Sequence, residues 1–591
     1  MNYKKRTHTC GELGVGNQGE VVTLNGWIAV RRNLGGLVFI DLRDRYGVTQ
    51  LVIHPETQAE LAERSRELKS EYVIWAEGKV VMRERPNPNM PTGLVEIELT
   101  EYGVINRAEL PPFEISDDVD ISEELKLKYR FLDLRRPKMQ SYFMMRNKLY
   151  QTMHKYYFEN NFVEIETPIL MKSTPEGARD FLVPSRINKG KFYALPQSPQ
   201  IYKQILMVSG FDRYVQVVKC FRDEDLRSDR QPEFTQIDVE MSFIDEQDIQ
   251  TLTEGFIAQL WEDALGMRIE GPFPRMTYRE AMDRFGSDKP DLRFEMEIKR
   301  LESVLSGVEF KVFAEAIAAG GTVAAINAKG CASYSRKQID ELTEFAKKYG
   351  AKGLAWAKIA NGEVSSSFAK FMKPEEMDRI IEATAAVDGD LVLIVSDAKA
   401  DRALTVCGAL RMEIARRTGL LEKLRGTYHF SWVTEFPLLE YDEEAGRYVA
   451  IHHPFTAPME EDLHLLESAP AKARARAYDL VINGAEVGGG SIRIHDGDVQ
   501  SKMFDLLGFT PELADLQFGY LLNALKFGAP PHGGVALGLD RLVMTLSGTD
   551  NIRDVIAFPK TTSGLSLMDG APSVVEAAQL AELGIALLKT E

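Results

Sequence analysis

The charged segment at residues 220–238, CFRDEDLRSDRQPEFTQID, has residue types and spacing that could bind phosphate. Within it three arginines alternate with four carboxylates: Arg222, Arg227 and Arg230 with Asp223, Glu224, Asp225 and Asp229. A solvated turn is the usual explanation of such a charge run. Arginine, however, carries a permanent, forked charge that matches phosphate, and carboxylates can hold the guanidinium groups in place before a ligand arrives. The segment is therefore a candidate phosphate site.

The two flanks of this segment predict the elements that position it. RYVQVVKCF precedes the charged loop, and TQIDVEMSF follows it with alternating apolar and polar residues. In a strand this alternation separates two faces: Ile237, Val239, Met241 and Phe243 against Gln236, Asp238, Glu240 and Ser242. We expect a β-hairpin whose second strand presents a polar face beside the arginine-rich loop.

A second segment, GAEVGGGSIRIHD at residues 484–496, places an arginine on a predicted strand. Its three consecutive glycines, 488–490, would let a ligand approach the backbone closely. Arg493 lies between two isoleucines, so its charge would be buried unless an anion meets it. That anion is either a structural carboxylate or a ligand. Upstream, Asp479 and Glu486 are candidate magnesium carboxylates.

A third segment, HGGVALGLDRLVMTL at residues 532–546, predicts a glycine-rich strand followed by a helix that bears Asp540 and Arg541. Glycines that lead into a helix N-terminus suit a nucleotide site, and an ordinary strand–turn–helix is the alternative. The chain has no GxxxxGK[ST] motif and no GxGxxG after a strand, so the P-loop and dinucleotide-binding motifs are excluded.

The elements around these segments predict an α+β multidomain chain. Residues 1–105 read as five short strands with a helix at 57–71, the layout of an OB barrel, although any small β-barrel would show a similar pattern. A predicted helix at 141–161 leads into the strand FVEIETPIL. The predicted segments are an N-terminal OB-fold β-barrel (1–105), a connector (106–140), a core in two parts (141–289 and 421–591) and an α/β insertion domain (290–420).

Composition narrows the class of protein. The 591-residue chain is 44% hydrophobic and 27% charged, as globular proteins are, and its net charge of -17 argues against a generally basic nucleic-acid binder. Residues 1–105 nevertheless carry 13 Lys and Arg against 14 Asp and Glu, a net of -1, so the acidity lies elsewhere. The four cysteines form no CxxC pair, the N-terminus has no apolar signal region, and no apolar run reaches the ~20 residues of a membrane helix. We expect a cytoplasmic protein.

Together the three segments resemble the signature motifs of class II aminoacyl-tRNA synthetases. FVEIETPIL is similar to the first motif, residues 220–238 to the second, and GGVALGLDRLVMTL to the third. Over nearly the whole chain the sequence resembles the bacterial-type aspartyl-tRNA synthetases, through TPEGARDF (174–181), LPQSPQIYKQ (195–204), HHPFT (452–456) and GAEVGGGSIRIH (484–495). The resemblance implies an OB-fold anticodon-binding domain, an antiparallel-sheet catalytic core with helices, and a homodimer built on the first motif. It also implies that ATP with Mg²⁺ activates L-aspartate as an aspartyl-adenylate for transfer to tRNA(Asp).

The family's site residues carry over to matching positions. For aspartate the resemblance implies Glu176, Gln200, Lys203, Arg222, Asp238, His452 and Arg493. Among these, Arg493 and Lys203 would read the side-chain carboxylate, and Glu176 would take the ammonium group. An isosteric amide would leave both cations poorly paired, which would explain selection against asparagine.

The resemblance also implies which residues bind the nucleotide. For ATP the resemblance implies Arg222, Asp223, Glu224, Gln231, Glu486, Gly538, Leu539, Asp540 and Arg541. Arg222 would contact the α-phosphate and Arg541 the γ-phosphate. Asp479 and Glu486 would coordinate Mg²⁺, and no other tightly bound metal or organic cofactor is expected.

The barrel would read the tRNA anticodon. Phe39 is expected to stack on a base, with a place in the barrel core as the alternative. By family position, Arg32, Gln50 and Glu96 are candidate base readers. Leu34 lies in the region linked to tRNA range: its apolar character favours charging of tRNA(Asp) alone, whereas some family members also charge tRNA(Asn) for later amidation.

Three other functions fit parts of the pattern. Arg493 and the large insertion argue against an asparaginyl- or lysyl-tRNA synthetase. The insertion itself resembles a domain of tRNA amidotransferase subunits. An ammonia-dependent asparagine synthetase shares the class II core but is opposed by the N-terminal barrel. A non-catalytic RNA-binding paralogue is opposed by retention of the charged set Arg222, Glu224, Glu486, Arg493 and Arg541.

Overall fold

The computed structural model describes residues 3–174 and 177–588. The described chain forms two compact units, and the chain passes between them after Met144, Ile556 and Ser573. The first unit contains the N-terminal strands, and the second contains all the remaining sheets. The finer division into five segments stays a prediction. Within the described ranges, every helix is too short or too polar to span a membrane.

The first unit is built on a closed five-stranded barrel, which confirms the predicted OB-type layout. Its strands, in the barrel order β1-β2-β3-β5-β4, are β1 (Val21–Leu34), β2 (Leu37–Arg43), β3 (Val48–Ile53), β4 (Val73–Met82) and β5 (Val95–Asn106). Neighbouring strands pair antiparallel except β3 and β5, whose parallel pairing of Leu51 with Ile97 closes the barrel. Inward-facing aliphatic side chains from all five strands form one core.

The helix between β3 and β4 is shorter than the predicted 57–71. Helix α1 covers only Ala59–Arg64 and passes into a single 3₁₀ turn. The Ser65 hydroxyl donates to the Ala62 carbonyl at 2.7 Å, and Gln58 provides no side-chain cap. A serine bonded to the preceding turn competes with helix continuation, so the helix ends there.

Three further helices follow the barrel: α2 (Glu123–Lys128), α3 (Arg130–Asp133) and α4 (Pro137–Glu159). Helix α4 confirms the helix predicted at 141–161 and begins four residues earlier, at a proline. Proline suits a first helical position because its φ is preset and its missing N–H would have no partner there.

The second unit contains the core sheet and the insertion. Its strands are β6 (Val163–Glu164), β7 (Leu182–Pro184), β8 (Phe192–Ala194), β9 (Arg213–Phe221), β10 (Glu233–Ser242), β11 (Arg275–Thr277), β12 (Lys299–Arg300), β13 (Thr322–Ala328), β14 (Ala355–Ala360), β15 (Glu363–Ser366), β16 (Leu391–Asp397), β17 (Phe430–Thr434), β18 (Leu439–Asp442), β19 (Arg447–Ala450), β20 (Ala477–Ile482), β21 (Ala485–Ile492) and β22 (His532–Gly538). Eight of these form one sheet in the order β11-β17-β20-β21-β22-β10-β9-β6, antiparallel except for the edge pairs β11–β17 and β6–β9.

The second unit also contains helices. They are α5 (Gln200–Val208), α6 (Glu246–Leu265), α7 (Tyr278–Phe285), α8 (Lys311–Ala318), α9 (Arg336–Lys348), α10 (Pro374–Ala383), α11 (Ala400–Arg417), α12 (Leu420–Lys423), α13 (Leu465–Ser468), α14 (Gly497–Leu506), α15 (Pro511–Leu525), α16 (Leu539–Ser547) and α17 (Ala577–Leu583). The strand-to-helix step predicted at 532–546 is confirmed, since β22 passes directly into α16.

The predicted hairpin around the charged loop is also confirmed. Strand β9 pairs with β10 from Arg213–Met241 to Phe221–Glu233. One assignment was wrong: Phe243 does not continue the apolar face of β10. It follows the end of the strand with φ +57° and is 75% exposed.

The strand predicted for FVEIETPIL is only two residues long. Strand β6, at the edge of the sheet, pairs with β9 at Val163 and Glu164, and the chain leaves the sheet before Pro168. Proline cannot donate a ladder hydrogen bond, and the residue before it is restricted as well. The sequence pattern overstated this element because apolar alternation continued past the last pairing residue.

The insertion forms its own antiparallel sheet, in the order β12-β13-β16-β14-β15. Helices α9 and α11 cover one face and helices α8 and α10 cover the other, each over a separate apolar cluster. Both faces of β13 and β16 are therefore buried, which explains why these two strands read as continuous apolar runs. The predicted alternation of helix and strand is confirmed for this segment.

Candidate active site

The three sequence segments meet in one cleft of about 560 Å³ on the core sheet. Strands β10, β21 and β22 are adjacent there, and β20 and β9 flank them. Most of the predicted aspartate and ATP residues line the cleft: Gln200, Lys203, Arg222, Glu224, Gln231, Asp238, His452, Asp479, Glu486, Arg493, Gly538, Asp540 and Arg541. Asp223 and Leu539 lie outside the lining, and Glu176 lies outside the described residues.

A buried group of two cations and two carboxylates lies at the inner end of the cleft. Arg493, which is 2% exposed, donates from Nε and Nη2 to the two oxygens of Glu240 at 2.9 and 3.0 Å. Lys203 Nζ lies 2.7 Å from Asp238 Oδ1 and 3.4 Å from Glu240 Oε2. Burial opposes ionisation of Glu240, but the charges of Arg493 and Lys203 outweigh it and hold its pKa below the usual value.

The sequence left two anions open as the partner of Arg493, a structural carboxylate or a ligand. The structure supplies the carboxylate, and Arg493 also lines the cleft, where it can meet a ligand. Glu240 was not among the predicted site residues. Its position on the polar face of β10, the face that carries Asp238, could have identified it from the sequence. The charge pairing corrects the expected basis of selectivity. Lys203 and Arg493 each already contact a carboxylate of the protein. Both side chains can only donate hydrogen bonds, so a ligand carboxylate could accept from them, whereas the –NH₂ group of a ligand amide could not.

His453 is a further residue that the sequence did not single out. Arg493 Nη1 donates to His453 Nε2 at 2.8 Å and to the Ser491 hydroxyl at 2.6 Å. Because arginine only donates, Nε2 accepts this hydrogen bond. The other ring nitrogen, Nδ1, lies 3.2 Å from the Phe455 N–H and 3.3 Å from the Thr456 hydroxyl. Desolvation of the ring, and then the charge of Arg493, hold the pKa of His453 well below its ordinary value of 6.5. The imidazole thus fixes the guanidinium as a neutral acceptor.

This neutral histidine predicts a loss of stability in acid. The unfolded chain protonates His453 below about pH 6.5 and the folded chain does not, so stability is present above that pH and is lost as the pH falls, by up to about 1.4 kcal/mol per pH unit. His453→Gln, whose amide oxygen can accept the same hydrogen bond, should lose less. Thermal unfolding midpoints at about pH 7.5 and about pH 5.5 measure the difference. An equal acid shift in both proteins would contradict the prediction.

Four buried polar atoms in the cleft have no hydrogen-bond partner among the described residues. They are Gln200 Nε2, Arg222 Nε, Asp238 Oδ2 and His452 Nδ1. A buried polar group without a partner costs free energy, so such a cluster is typical of a site that a ligand completes. All four belong to residues that the sequence assigned to the site.

The mouth of the cleft carries three arginines in different states. The Arg222 guanidinium stacks over the Phe234 ring at 5.2 Å and has no carboxylate within ion-pair distance in the described ranges. Arg230 Nη1 binds Glu224 at 2.6 Å. Arg541 Nη1 donates to the Glu486 carbonyl at 2.8 Å. Arg222 is therefore the cation most available to a phosphate.

Asp540 has a different environment from its neighbours in the third motif. Its carboxylate binds Arg146 Nη1 at 2.5 Å and accepts the Thr235 N–H at 2.8 Å. Both oxygens are engaged, so Asp540 ties helix α16 to α4 and β10. Asp223, outside the cleft, lies near Arg179, with an Oδ2–Nε distance of 3.6 Å.

Asp479 on β20 and Glu486 on β21 lie close together on adjacent strands. A bulge after Leu480 shifts the register, so that Asp479 lies opposite Gly489. A Cβ at Gly489 would fall 2.5 Å from Asp479 Oδ1 and 3.8 Å from Glu486 Oε1, so only glycine leaves room beside both carboxylates. Burial, and then the charge of Asp479, raise the pKa of Glu486. No group of three or more metal-ligating side chains occurs among the described residues.

The predicted anticodon residues share the outer face of the barrel. The neighbours of Phe39 on β2, Val38 and Ile40, belong to the barrel core, whereas Phe39 does not, so the core alternative is wrong. Arg32 lies opposite Phe39 in the β1–β2 pairing and binds Asp41 at 2.8 Å. An aromatic ring and a charged side chain are thus presented outward together.

Gln50 and Glu96 form a network on the same face. Gln50 Nε2 donates to Glu96 at 2.7 Å, and Arg83 donates to the Gln50 oxygen. Arg83 fixes the orientation of the amide and was not predicted. Leu34 is 59% exposed at the end of β1, where Gly35 and Gly36, at φ +60° and +83°, make the hairpin turn.

Comparison with known proteins follows the same division of the chain. A family model for class II tRNA synthetases (D, K and N) matches residues 122–562, and a model for an OB-fold nucleic acid binding domain matches residues 22–105. Among solved structures, asparaginyl-tRNA synthetase from Pyrococcus horikoshii complexed with asparaginyl-adenylate has a TM-score of 0.59 at 20% identity, covering 92% of this chain and 96% of that chain. This likeness shows a shared fold.

Two sequence relatives are much more similar. The aspartate–tRNA(Asp/Asn) ligase of Caldanaerobacter subterraneus subsp. tengcongensis is 54% identical over 583 residues, which is 98% of each chain. The aspartate–tRNA ligase of Clostridium perfringens is 52% identical over 591 residues, which is 100% of this chain and 99% of the relative. The chain therefore belongs to the class II tRNA synthetases of the D, K and N group and, within it, to the aspartate–tRNA ligases.

Proposed function

We propose that this protein attaches L-aspartate to tRNA(Asp) in an ATP-dependent reaction through an aspartyl-adenylate, with release of pyrophosphate and AMP. The observation that carries the proposal is the donor-only pair of Lys203 and Arg493 at the inner end of the cleft. Of the five N–H groups of Arg493, four contact Glu240, Ser491 and His453, which leaves one for a ligand. A short carboxylate is the substrate group that such a pocket accepts.

The other end of the amino acid is assigned to groups nearer the cleft mouth. Asp238 Oδ2 and Gln200 Nε2 are buried and have no hydrogen-bond partner in the part of the chain that the structure describes, which supports contacts to the aspartate backbone. Glu176 is proposed for the ammonium group on the resemblance of TPEGARDF alone. His452 has a buried nitrogen without a partner beside the cleft and is proposed to close on the substrate.

ATP is proposed to occupy the mouth of the cleft. Arg222 would meet the α-phosphate because no carboxylate of the described residues lies within ion-pair distance of it. Arg541 would meet the γ-phosphate. Glu224, Gln231 and residues 538–540 would hold the nucleotide, with Asp540 acting through the position of α16. Leu539, which is buried, would act the same way, and Asp223 would position the loop.

Mg²⁺ fits the pair Asp479 and Glu486. Two hard carboxylate ligands face a space that Gly489 keeps open. Burial, and then the charge of Asp479, raise the pKa of Glu486. Since two carboxylates are too few for a complete coordination shell, the remaining ligands would be ATP phosphate oxygens and water. Bound with ATP, Mg²⁺ would neutralise phosphate charge.

The reaction needs positioning and charge neutralisation more than a general base. In the first step a carboxylate oxygen of aspartate attacks the α-phosphorus in line, and pyrophosphate leaves as the P–O bond breaks. In the second step the terminal ribose 3′-hydroxyl of the tRNA attacks the adenylate carbonyl, and AMP leaves. Arg222 stabilises the charge that develops at the α-phosphate, and Arg493 with Lys203 holds the substrate side chain throughout.

Aminoacylation of purified tRNA(Asp) and tRNA(Asn) with aspartate, ATP and Mg²⁺ tests the proposed function. Charging of tRNA(Asp) is the expected result, and charging of tRNA(Asn) as well would identify a relaxed enzyme whose product needs an amidotransferase. Absence of both charging and aspartate-dependent ATP–pyrophosphate exchange would overturn the proposal. Formation of free asparagine from aspartate, ATP and ammonia would instead identify an asparagine synthetase.

Phe39 should matter for tRNA and not for activation. Phe39→Ala removes a predicted base stack, so kcat/KM for tRNA(Asp) should fall about tenfold or more. ATP–pyrophosphate exchange without tRNA should stay at the wild-type rate. Phe39→Tyr keeps a ring and serves as the control. A tRNA kcat/KM unchanged in Phe39→Ala would contradict anticodon stacking.

We also propose a homodimer formed through the first motif, in the cytoplasm. Large apolar side chains are exposed in this motif, at Val163, Ile169 and Leu170, and shortly before it, at Phe158. Exposed large apolar side chains grouped in one segment of the chain are typical of an interface. All four cysteines are free and buried, as suits a reducing compartment. Sedimentation of Val163→Glu compared with the wild type would test the dimer.

A further inference from the structure

An exposed cluster of two arginines and a tyrosine lies at the β2–β3 connection of the barrel. The Arg45 guanidinium lies 4.5 Å and the Arg6 guanidinium 5.6 Å from the centre of the Tyr46 ring. Arg45 Nη2 also donates to the Tyr46 hydroxyl at 2.9 Å. The tyrosine is 52% exposed, so an aromatic ring is presented to solvent with two cations close to it. None of these residues belongs to the predicted anticodon set.

Hydrogen bonds and close packing hold the loop that carries this cluster. Asp44 Oδ1 accepts the N–H groups of Tyr46 and Gly47 at 2.7 and 3.1 Å, and Asp44 Oδ2 accepts the Cys10 N–H at 2.9 Å. A Cβ at Gly11 would fall 2.0 Å from the Tyr46 carbonyl oxygen, so the N-terminal segment packs directly against the loop backbone. Tyr46 is therefore presented by a fixed scaffold, which lowers the entropy lost when a ligand stacks on it.

The guanidinium groups of Arg6 and Arg45 are largely free to bind an anionic ligand. Arg45 has no carboxylate within ion-pair distance in the described ranges, and the only such contact of Arg6 is with Asp44 at 3.6 Å. In a chain of net charge -17, two accessible guanidinium groups beside an exposed ring are a local basic site. Aromatic rings flanked by arginine are the elements with which proteins bind single-stranded nucleic acid.

The cluster lies next to the anticodon face. Strands β2 and β3, which the loop connects, carry Phe39 and Gln50 on that face. Gln50 lies three residues beyond Gly47, a distance of about 10 Å along a strand. The Thr92 hydroxyl donates to the Val48 carbonyl at 2.6 Å, which brings the β4–β5 connection to the same end of the barrel. A short stretch of RNA that contacts Gln50 could reach Tyr46.

We propose that Arg6, Arg45 and Tyr46 form an RNA-contacting surface that extends the anticodon face. Tyr46 stacks on an unpaired nucleotide beside the anticodon, and the two guanidinium groups contact the flanking phosphates. The inference rests on the proposed function, because it assigns this surface to the same tRNA substrate.

Substitution of the ring tests the stack. Tyr46→Ala should lower kcat/KM for tRNA(Asp) about tenfold, within the range given by loss of one base–aromatic stack. Tyr46→Phe, which keeps the ring, should restore most of the rate. ATP–pyrophosphate exchange without tRNA should stay at the wild-type rate in both. Wild-type tRNA kinetics in Tyr46→Ala, or equal losses in the Ala and Phe variants, would overturn the stacking role.

Salt dependence tests the phosphate contacts. Removing two contacts in Arg6→Ala/Arg45→Ala should reduce the slope of log affinity against log salt by about 1.4 for a single strand. The double variant Arg66→Ala/Arg107→Ala removes two exposed arginines from the same barrel unit and should leave the slope unchanged. Equal slopes for the first double variant and the wild type would sink the proposal.

Direct binding of an anticodon stem–loop RNA to the full-length protein, followed by fluorescence anisotropy, separates this inference from the proposed function. Weaker binding by Tyr46→Ala is expected whether or not the wild-type protein is an active ligase. A wild-type protein that charges no tRNA but binds this RNA through Tyr46 would overturn the proposed function alone. Normal charging with binding unaffected by Tyr46→Ala would overturn the surface alone.

Discussion

Arg493→Ala should abolish aspartate-dependent ATP–pyrophosphate exchange, with a loss of about 10³-fold or more. Breaking one side of a buried ion pair costs about 3–5 kcal/mol, and about 4 kcal/mol corresponds to a factor of 10³ in affinity. Here the substitution removes a donor from the substrate carboxylate. It also leaves Lys203, at 3.4 Å, as the one cation within ion-pair distance of the buried Glu240 among the described residues. Part of the cost should therefore appear as lower stability, measurable as a reduced thermal unfolding midpoint.

A second variant separates activity from stability. Arg493→Lys keeps the charge beside Glu240 but loses the fork that reaches Glu240, Ser491 and His453 together. It should fold with a nearly normal unfolding midpoint and still lose about 100-fold in exchange. Arg476→Ala is the matched control, because Arg476 also binds a glutamate, Glu246, through two nitrogens but does not line the cleft. Wild-type exchange in Arg493→Lys would show that the fork does not recognise the substrate.

Arg222→Ala should reduce ATP–pyrophosphate exchange by about 10²–10³-fold, the effect of losing one preorganised group at a developing charge. Arg222 has an Nε atom without a hydrogen-bond partner and a guanidinium that stacks on Phe234. No carboxylate competes for it within ion-pair distance in the described ranges, so its removal should expose no unpaired partner. The unfolding midpoint should consequently stay close to the wild-type value.

The same loop contains its own control. Arg227 is exposed and lies outside the cleft lining, so Arg227→Ala removes an equal charge nearby without touching the proposed α-phosphate position. Exchange by Arg227→Ala should stay within about twofold of the wild type, the range of surface substitutions of up to about 0.5 kcal/mol. Equal losses in Arg222→Ala and Arg227→Ala would mean that general loop charge, rather than one positioned guanidinium, serves ATP.

The sequence predicted elements whose signal is local. The hairpin β9–β10 and the step from β22 into α16 were predicted because alternation, turn residues and glycines act within a few residues of each other. Alternation of apolar residues gave wrong strand ends where the pairing of strands in the sheet stops before the sequence pattern does. The apolar run around Pro168 continues past the end of β6, and Phe243 extends an alternating run beyond the last residue that pairs.

By itself the sequence determined the family, the five-stranded barrel and the charged residues available for chemistry, since these follow from residue types at short spacing. Only the tertiary structure decided how the charges are partnered. Glu240 meets Arg493 from 253 residues away, and Asp540 meets Arg146 across 394 residues. It also decided that Phe39 points out of the barrel core. The pairing of distant charges and the orientation of a strand side chain depend on strand register and on the burial of both partners together. The spacing of residues along the sequence does not encode either of these.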